Sequence, residues 1–179
     1  MKTLHPNAGS TQRGYSLIEL LVVIAMIGIL SLIAIPNFIG MYRGMRLKSS
    51  LRQFTSELRG ARQRAVTQSS LVRICFDDGS RFYYVWESPD NGVSWSLVGP
   101  NPRRLEETVF IENSSGGSAF TDTFDEGGLG DLPDIVFEGA GTARVPGGEG
   151  KVLIKSDYPD IGQNTYTVSV RTTGMIATQ

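Results

Sequence analysis

Residues 17–35 form a nineteen-residue run in which the only charge is the carboxylate of Glu19. As a helix rising about 1.5 Å per residue the run extends about 28 Å, against a bilayer hydrocarbon core of about 30 Å, so it is long enough to span. A carboxylate inside such a segment costs on the order of 2.5–3.5 kcal/mol. Glu19 must therefore snorkel, hold a proton or meet a cation, and the segment itself supplies no cation. A partner molecule is one source of that cation; the plainer alternative is a signal anchor whose Glu19 reaches the cytoplasmic interface.

The flanks set an orientation. Lys2 and Arg13 precede the run and residues 1–14 contain no acid, which keeps the amino terminus cytoplasmic by the positive-inside rule. Arg43, Arg46 and Lys48 on the far side pull the other way. A cleaved secretory signal is not expected, because its apolar region spans about 7–15 residues and ends in a small-x-small site. Here the run is longer, and Ala34-Ile35-Pro36 is a poor cleavage site. Pro36 removes a backbone donor and is expected to kink or locally melt the helix.

Arg13-Gly14-Tyr15-Ser16-Leu17-Ile18-Glu19 resembles the cleavage and methylation motif of type IV prepilins and type II secretion pseudopilins. Counted from Tyr15, Glu19 is the fifth residue and Pro36 the twenty-second, both in step with that family. Tyr15 departs mildly from it, since Phe or Met is commoner there. The resemblance implies that a prepilin peptidase cuts after Gly14 and methylates the new amine on Tyr15. Methylation keeps the amine's positive charge, so in a bundle of staggered helices Glu19 of one subunit can face the amine of its neighbour. Each then relieves the other's cost of burial.

Beyond Pro36 the pattern stays helical. Leu47, Leu51, Phe54, Leu58, Ala61 and Ala65 recur at steps of four, three, four, three and four, which is one face of one helix. Seven bases (Arg43, Arg46, Lys48, Arg52, Arg59, Arg62 and Arg64) stand against one acid, Glu57. The basic surface suits acidic neighbours or anionic headgroups, or is a solvated helix face. From Tyr15 to about Gln68 such a helix is about 80 Å long.

From about residue 70 short β-rich runs alternate with Gly, Pro, Asn and Asp clusters. Strands are expected at 71–76, 82–86, 94–98, 108–112, 135–138, 151–154, 165–171 and 175–177, with Asp77-Asp78-Gly79-Ser80 as a hairpin turn. The expected fold is α+β and pilin-like: one long N-terminal helix packed on a mostly antiparallel sheet. The segments are a leader (1–14), a transmembrane and assembly helix (15–38), an amphipathic basic helix (39–68) and a β-sheet head (69–179).

The head resembles the GspH/FimT type of minor pilin and pseudopilin through Leu58-Arg59-Gly60-Ala61-Arg62-Gln63-Arg64-Ala65-Val66, through Val72-Arg73-Ile74-Cys75-Phe76 and through the closing stretch 168–176 with its Thr-Gly turn. Residues 113–146 match nothing placeable. The resemblance implies a low-abundance structural subunit that helps initiate or cap a fibre, not an enzyme. Its implied partners are the prepilin peptidase, other pilins or pseudopilins through the N-terminal helix, the inner-membrane assembly platform and, before extraction, the inner membrane with the head in the periplasm. Type II secretion and type IV pilus remain equally open at this point.

One branch of the family is associated with DNA uptake through a Gly-Arg-x-Arg segment. This chain reads Gly174-Met175-Ile176-Ala177, and residues 65–179 carry eight bases against sixteen acids. Nucleic-acid binding draws its affinity from neutralised phosphates, so only the helix and Arg103-Arg104 could contribute, and DNA is not an expected partner. His5, the sole histidine, sits in the leader, and Cys75 is the sole cysteine, so a histidine-assisted nucleophile and a cysteine zinc cluster are excluded from the mature chain. The burial of Cys75 is open, because alternation places it with Arg73 and opposite Ile74 and Phe76. Gly147-Gly148-Glu149-Gly150-Lys151-Val152 lacks the Ser or Thr that a phosphate loop needs and reads as a turn. Asp122, Asp125, Glu126, Asp131 and Asp134 surround a Gly-rich stretch without any calcium-loop spacing, so no metal or other cofactor is expected and the stretch reads as an acidic surface loop.

Overall fold

A computed structural model describes residues 15–113, 123–124, 132–145, 148–158 and 162–179. The chain divides into two units, Met1–Ile39 and Gly40–Gln179. Helix α1 (Leu17–Gln68) provides the described secondary structure of the first unit and the helix of the second. It is helical through position 36, so of the kink or local melting expected at Pro36 the melting does not occur. Its end is set by Ser69 at φ 52°, which lets the Ser70 amide donate to the Ala65 carbonyl at 3.1 Å, a left-handed cap that closes the last turn.

In the second unit the apolar steps along α1 are the buried ones. Leu47, Phe54, Leu58, Ala61 and Ala65 are buried, with Leu51 packed at the margin. The expected single sheet is in fact two, both antiparallel among the described residues. The first contains β1 (Leu71–Phe76), β2 (Phe82–Ser88), β3 (Ser96–Leu97), β4 (Arg103–Arg104), β6 (Thr123–Phe124), β7 (Leu132–Phe137) and β8 (Ala143–Arg144). Its order is β3-β2-β1-β7-β6, with β4 on β2 and β8 on β7. The second runs β11 (Ile176–Thr178), β10 (Thr165–Arg171), β9 (Glu149–Ser156), β5 (Val109–Asn113). A bridge between Ser80 and Ile111 ties the sheets at the β1–β2 turn.

Register explains the core. Ile74 of β1 lies between Val85 of β2 and Ile135 of β7, and Phe76 faces Tyr83. In the other sheet Ile111 faces Ile154 and Val152 faces Val168. All of these residues are buried and belong to one cluster with the helix residues. Phe54 meets Tyr83 edge-on at 5.6 Å between ring centroids. The two-residue strands β4, β6 and β8 were not expected, since two residues show no periodicity.

The outer face of the first sheet is also covered. Arg73 makes an ion pair with Asp134 at 2.6 Å, and the Trp95 ring stacks on its guanidinium at 4.2 Å. Asp134 is therefore a buried residue of β7 and is committed to Arg73; it is not part of an open acidic loop. The other acids of that loop, Asp122, Asp125, Glu126 and Asp131, lie outside the described residues. Cys75 is buried beside the pair, and desolvation first, then the Asp134 charge, pushes its thiol pKa far up. It is a packed, unreactive thiol.

The segment bearing Trp95 is held by Asp90. Its carboxylate accepts from the Ser88 hydroxyl at 2.7 Å, the Ser94 amide at 2.8 Å and the Ser94 hydroxyl at 2.5 Å. The Ser94 hydroxyl and amide bonds, in that order, with Ser88 behind them, hold its pKa down to about 2 from an ordinary 3.8. A depressed carboxylate contributes fully above its ordinary value and loses that contribution as pH falls through its folded value. Tryptophan fluorescence is accordingly expected to stay constant from pH 7 to about 3 and to change near pH 2. In Asp90→Asn the acid-induced step near pH 2 should disappear.

Candidate assembly and processing site

Tyr15 and Ser16 precede α1, and the Leu20 amide donates to the Ser16 carbonyl at 3.2 Å. That bond makes Ser16 the helix N-cap and puts Glu19 at the third helical position. Ser16-Leu17-Ile18-Glu19 is thus the Ser-x-x-Glu pattern of a capping box, a local signal that the sequence reading overlooked. A carboxylate in the first turn is also where the helix dipole favours one. The same chain end that carries the cost of an acid among apolar residues therefore has a local electrostatic reason to hold it there.

Tyr15, Glu19 and Val23 recur at steps of four and share one helix face with Leu20. Together they line an open groove of about 280 Å³. Tyr15 is 88% exposed. Gly14 lies outside the described residues, while Pro36 lies within the span of α1. Large apolar side chains along the first unit, from Leu17 to Ile39, stand exposed on every side of the helix. An apolar surface of that extent is stable only when lipid or other helices cover it.

In the second unit the bases of α1 divide into two sets. Arg62 donates through Nε to the Gly141 carbonyl at 2.9 Å and through Nη2 to the Thr173 carbonyl at 3.3 Å. Arg64 pairs with Glu87 at 2.8 Å, and Arg43 stacks on the Tyr158 ring at 3.9 Å. Arg46 donates to the Tyr42 hydroxyl at 3.2 Å. Arg62, Arg64 and Arg43 thus tie the helix to other parts of the head, with Arg64 still exposed, whereas Arg46 reaches only Tyr42 of its own helix. Lys48, Arg52 and Arg59 form the second set: they are exposed and make no ion pair among the described residues. Of the Arg103-Arg104 pair, Arg103 is engaged with Glu57 and the Val98 carbonyl, which leaves Arg104 as the exposed member.

Two family descriptions match the chain. The prokaryotic N-terminal methylation motif matches residues 9–35, and type II transport protein GspH matches residues 50–174. The type II secretion system protein H of Xanthomonas campestris pv. campestris is 33% identical over 91 residues, 48% of this chain and 52% of that protein. The chain thus spans about half the length of the curated relative it matches. Two structures of the minor pseudopilin EpsH from the type II secretion system of Vibrio cholerae each match 74% of this chain. They are covered over 94% and 92% of their own length, at 14% and 16% identity with TM-scores of 0.49 and 0.50. At such identity the second likeness bears on the fold alone, a long N-terminal helix packed on antiparallel sheets.

Proposed function

The chain belongs to the family of type II transport protein GspH, and we propose that it acts within it as a minor pseudopilin: a structural subunit made as a membrane precursor, cut after Gly14, methylated on Tyr15 and built into a type II secretion pseudopilus. The observation that carries the proposal is the exposed apolar helix of the first unit with one carboxylate, Glu19, sharing a groove with Tyr15. Once the leader is removed, the amine is created on the residue that lines the same groove as the acid. A subunit alone gains little from that pair in lipid. Neighbouring helices shifted along one another by a few residues let amine and carboxylate pair between molecules, which offsets both desolvation costs and fixes the stagger.

In this reading the partners are the prepilin peptidase, the other pseudopilins through α1 and the inner-membrane assembly platform. The protein rests in the inner membrane with its head in the periplasm until it is extracted into the fibre. Family membership favours type II secretion over the type IV pilus, which the motif at 13–19 cannot separate.

Mass spectrometry of the amino terminus of the chain from a secreting cell tests the proposal. The expected species begins at Tyr15 and is one methyl group heavier than the unmodified chain. Gly14→Ala should slow the appearance of that species and bulkier replacements should stop it. An intact leader on chains recovered from working fibres would overturn the assignment.

A further inference from the structure

The exposed row Lys48, Arg52 and Arg59 is the part of the basic helix that the fold of the head does not use. Steps of four and seven place the three on one face, spread over about 16 Å of helix. Ser56 and Gly60 lie beside them, both exposed, and a side chain added at Gly60 would meet nothing within 4 Å. This face can be approached closely by another helix. The one acid of α1 in the stretch, Glu57, is held by Arg103.

We infer that Lys48, Arg52 and Arg59 form a selectivity row that directs this subunit to a pilin-like neighbour presenting carboxylates at the same level of its helix, and turns away a second copy of this chain. The inference rests on the pseudopilin reading for the claim that helices lie side by side. Charge decides the rest. Two copies that met through this face would set cation beside cation even when shifted by a few residues, because the row runs over about 16 Å, and the one carboxylate of α1 in the stretch, Glu57, is already held by Arg103. A neighbour with acids gains three opposite-charge pairs in the same place. Recognition of one partner by attraction and of the wrong one by repulsion is the usual form of such discrimination. It also gives a physical reason for a subunit that enters a fibre sparsely and does not polymerise with itself. Anionic lipid suits the row less well, because the exposed face between residues 46 and 65 has no large apolar side chain to insert into headgroups.

The test uses the full chain in membranes, in two differently tagged forms, each with Ser56→Cys. Cys75 is buried, so the new thiol is the reactive one. One form keeps the row; the other carries Lys48→Glu, Arg52→Glu and Arg59→Glu and serves as a neighbour of known acidic chemistry. On mild oxidation at low salt, mixed dimers should exceed dimers of the unaltered row by about tenfold, and the excess should shrink in high salt. With the two forms in equal amounts, an excess no greater than the roughly twofold one that random pairing gives, or no mixed dimer, overturns the inference. Random pairing together with row-dependent binding to phosphatidylglycerol vesicles overturns it in favour of a lipid-facing patch. The amino terminus is read on the same samples: an intact leader with a mixed-dimer excess sinks the pseudopilin reading and leaves the charge rule standing.

Discussion

Gly174→Ala is expected to destabilise the head by about 3–5 kcal/mol, the sum of left-handed strain at a residue with a Cβ and the loss of charge-assisted hydrogen bonds to backbone carbonyls. Gly174 sits at φ 73° in the turn between β10 and β11. A Cβ there would lie 2.0 Å from the Gly141 carbonyl oxygen and 2.6 Å from Nε of Arg62. Those are the two partners of the 2.9 Å bond that holds α1 to the β7–β8 turn. Neither backbone oxygen nor a doubly bonded guanidinium can step aside cheaply, so the clamp of helix and two turns opens as a unit. Gly162→Ala is the matched control, at ordinary φ with nothing within 4 Å of the added carbon, and should change stability by less than about 0.5 kcal/mol. Denaturant unfolding of the full chain followed by tryptophan fluorescence compares the two. Equal midpoints would refute the clamp.

That clamp illustrates what a linear reading can reach. The sequence places Arg62 in a run of bases on a helix, where it looks like its neighbours Arg59 and Arg64. Its distinction comes from Gly141 and Thr173, which are brought to it across 79 and 111 residues of chain. No local pattern encodes that meeting. The helix end, β1 and β10 are legible because their signals are local: one apolar face at helical spacing, and β-rich runs bounded by turn residues. The division into two sheets is not legible, since it depends on β1 choosing β7 as its second partner some sixty residues later. Asp134 shows the same limit: its composition places it in an acidic loop, while its pairing makes it the buried partner of Arg73. The amino-terminal site is different in kind. Gly14, Tyr15 and Glu19 carry chemistry that depends on sequence offset, so they could be nominated before any fold; the Ser16 cap was equally local as a Ser-x-x-Glu pattern but went unread until the helix start was seen.

The second large effect concerns Glu19. Breaking a buried charge pair by removing one partner costs about 3–5 kcal/mol, so a substitution that leaves the neighbour's amine unpaired should lower incorporation by a hundredfold or more. Glu19→Lys is the severest version, because it sets a second cation beside the first. Glu19→Gln removes the charge and keeps the shape, and should fall between Glu19→Lys and the unaltered chain. Cleavage lies five residues upstream, so both chains should still lose the leader and remain in the membrane.

The most direct measurement is the amount of Glu19→Lys chain in sheared fibres when it is expressed beside its natural companions, with its amino terminus checked by mass spectrometry. The pairing of Glu19 with a neighbouring amine predicts a chain that begins at Tyr15, stays in the membrane and is absent from the fibres. Recovery of cleaved Glu19→Lys from fibres at the level of the unaltered protein would contradict it.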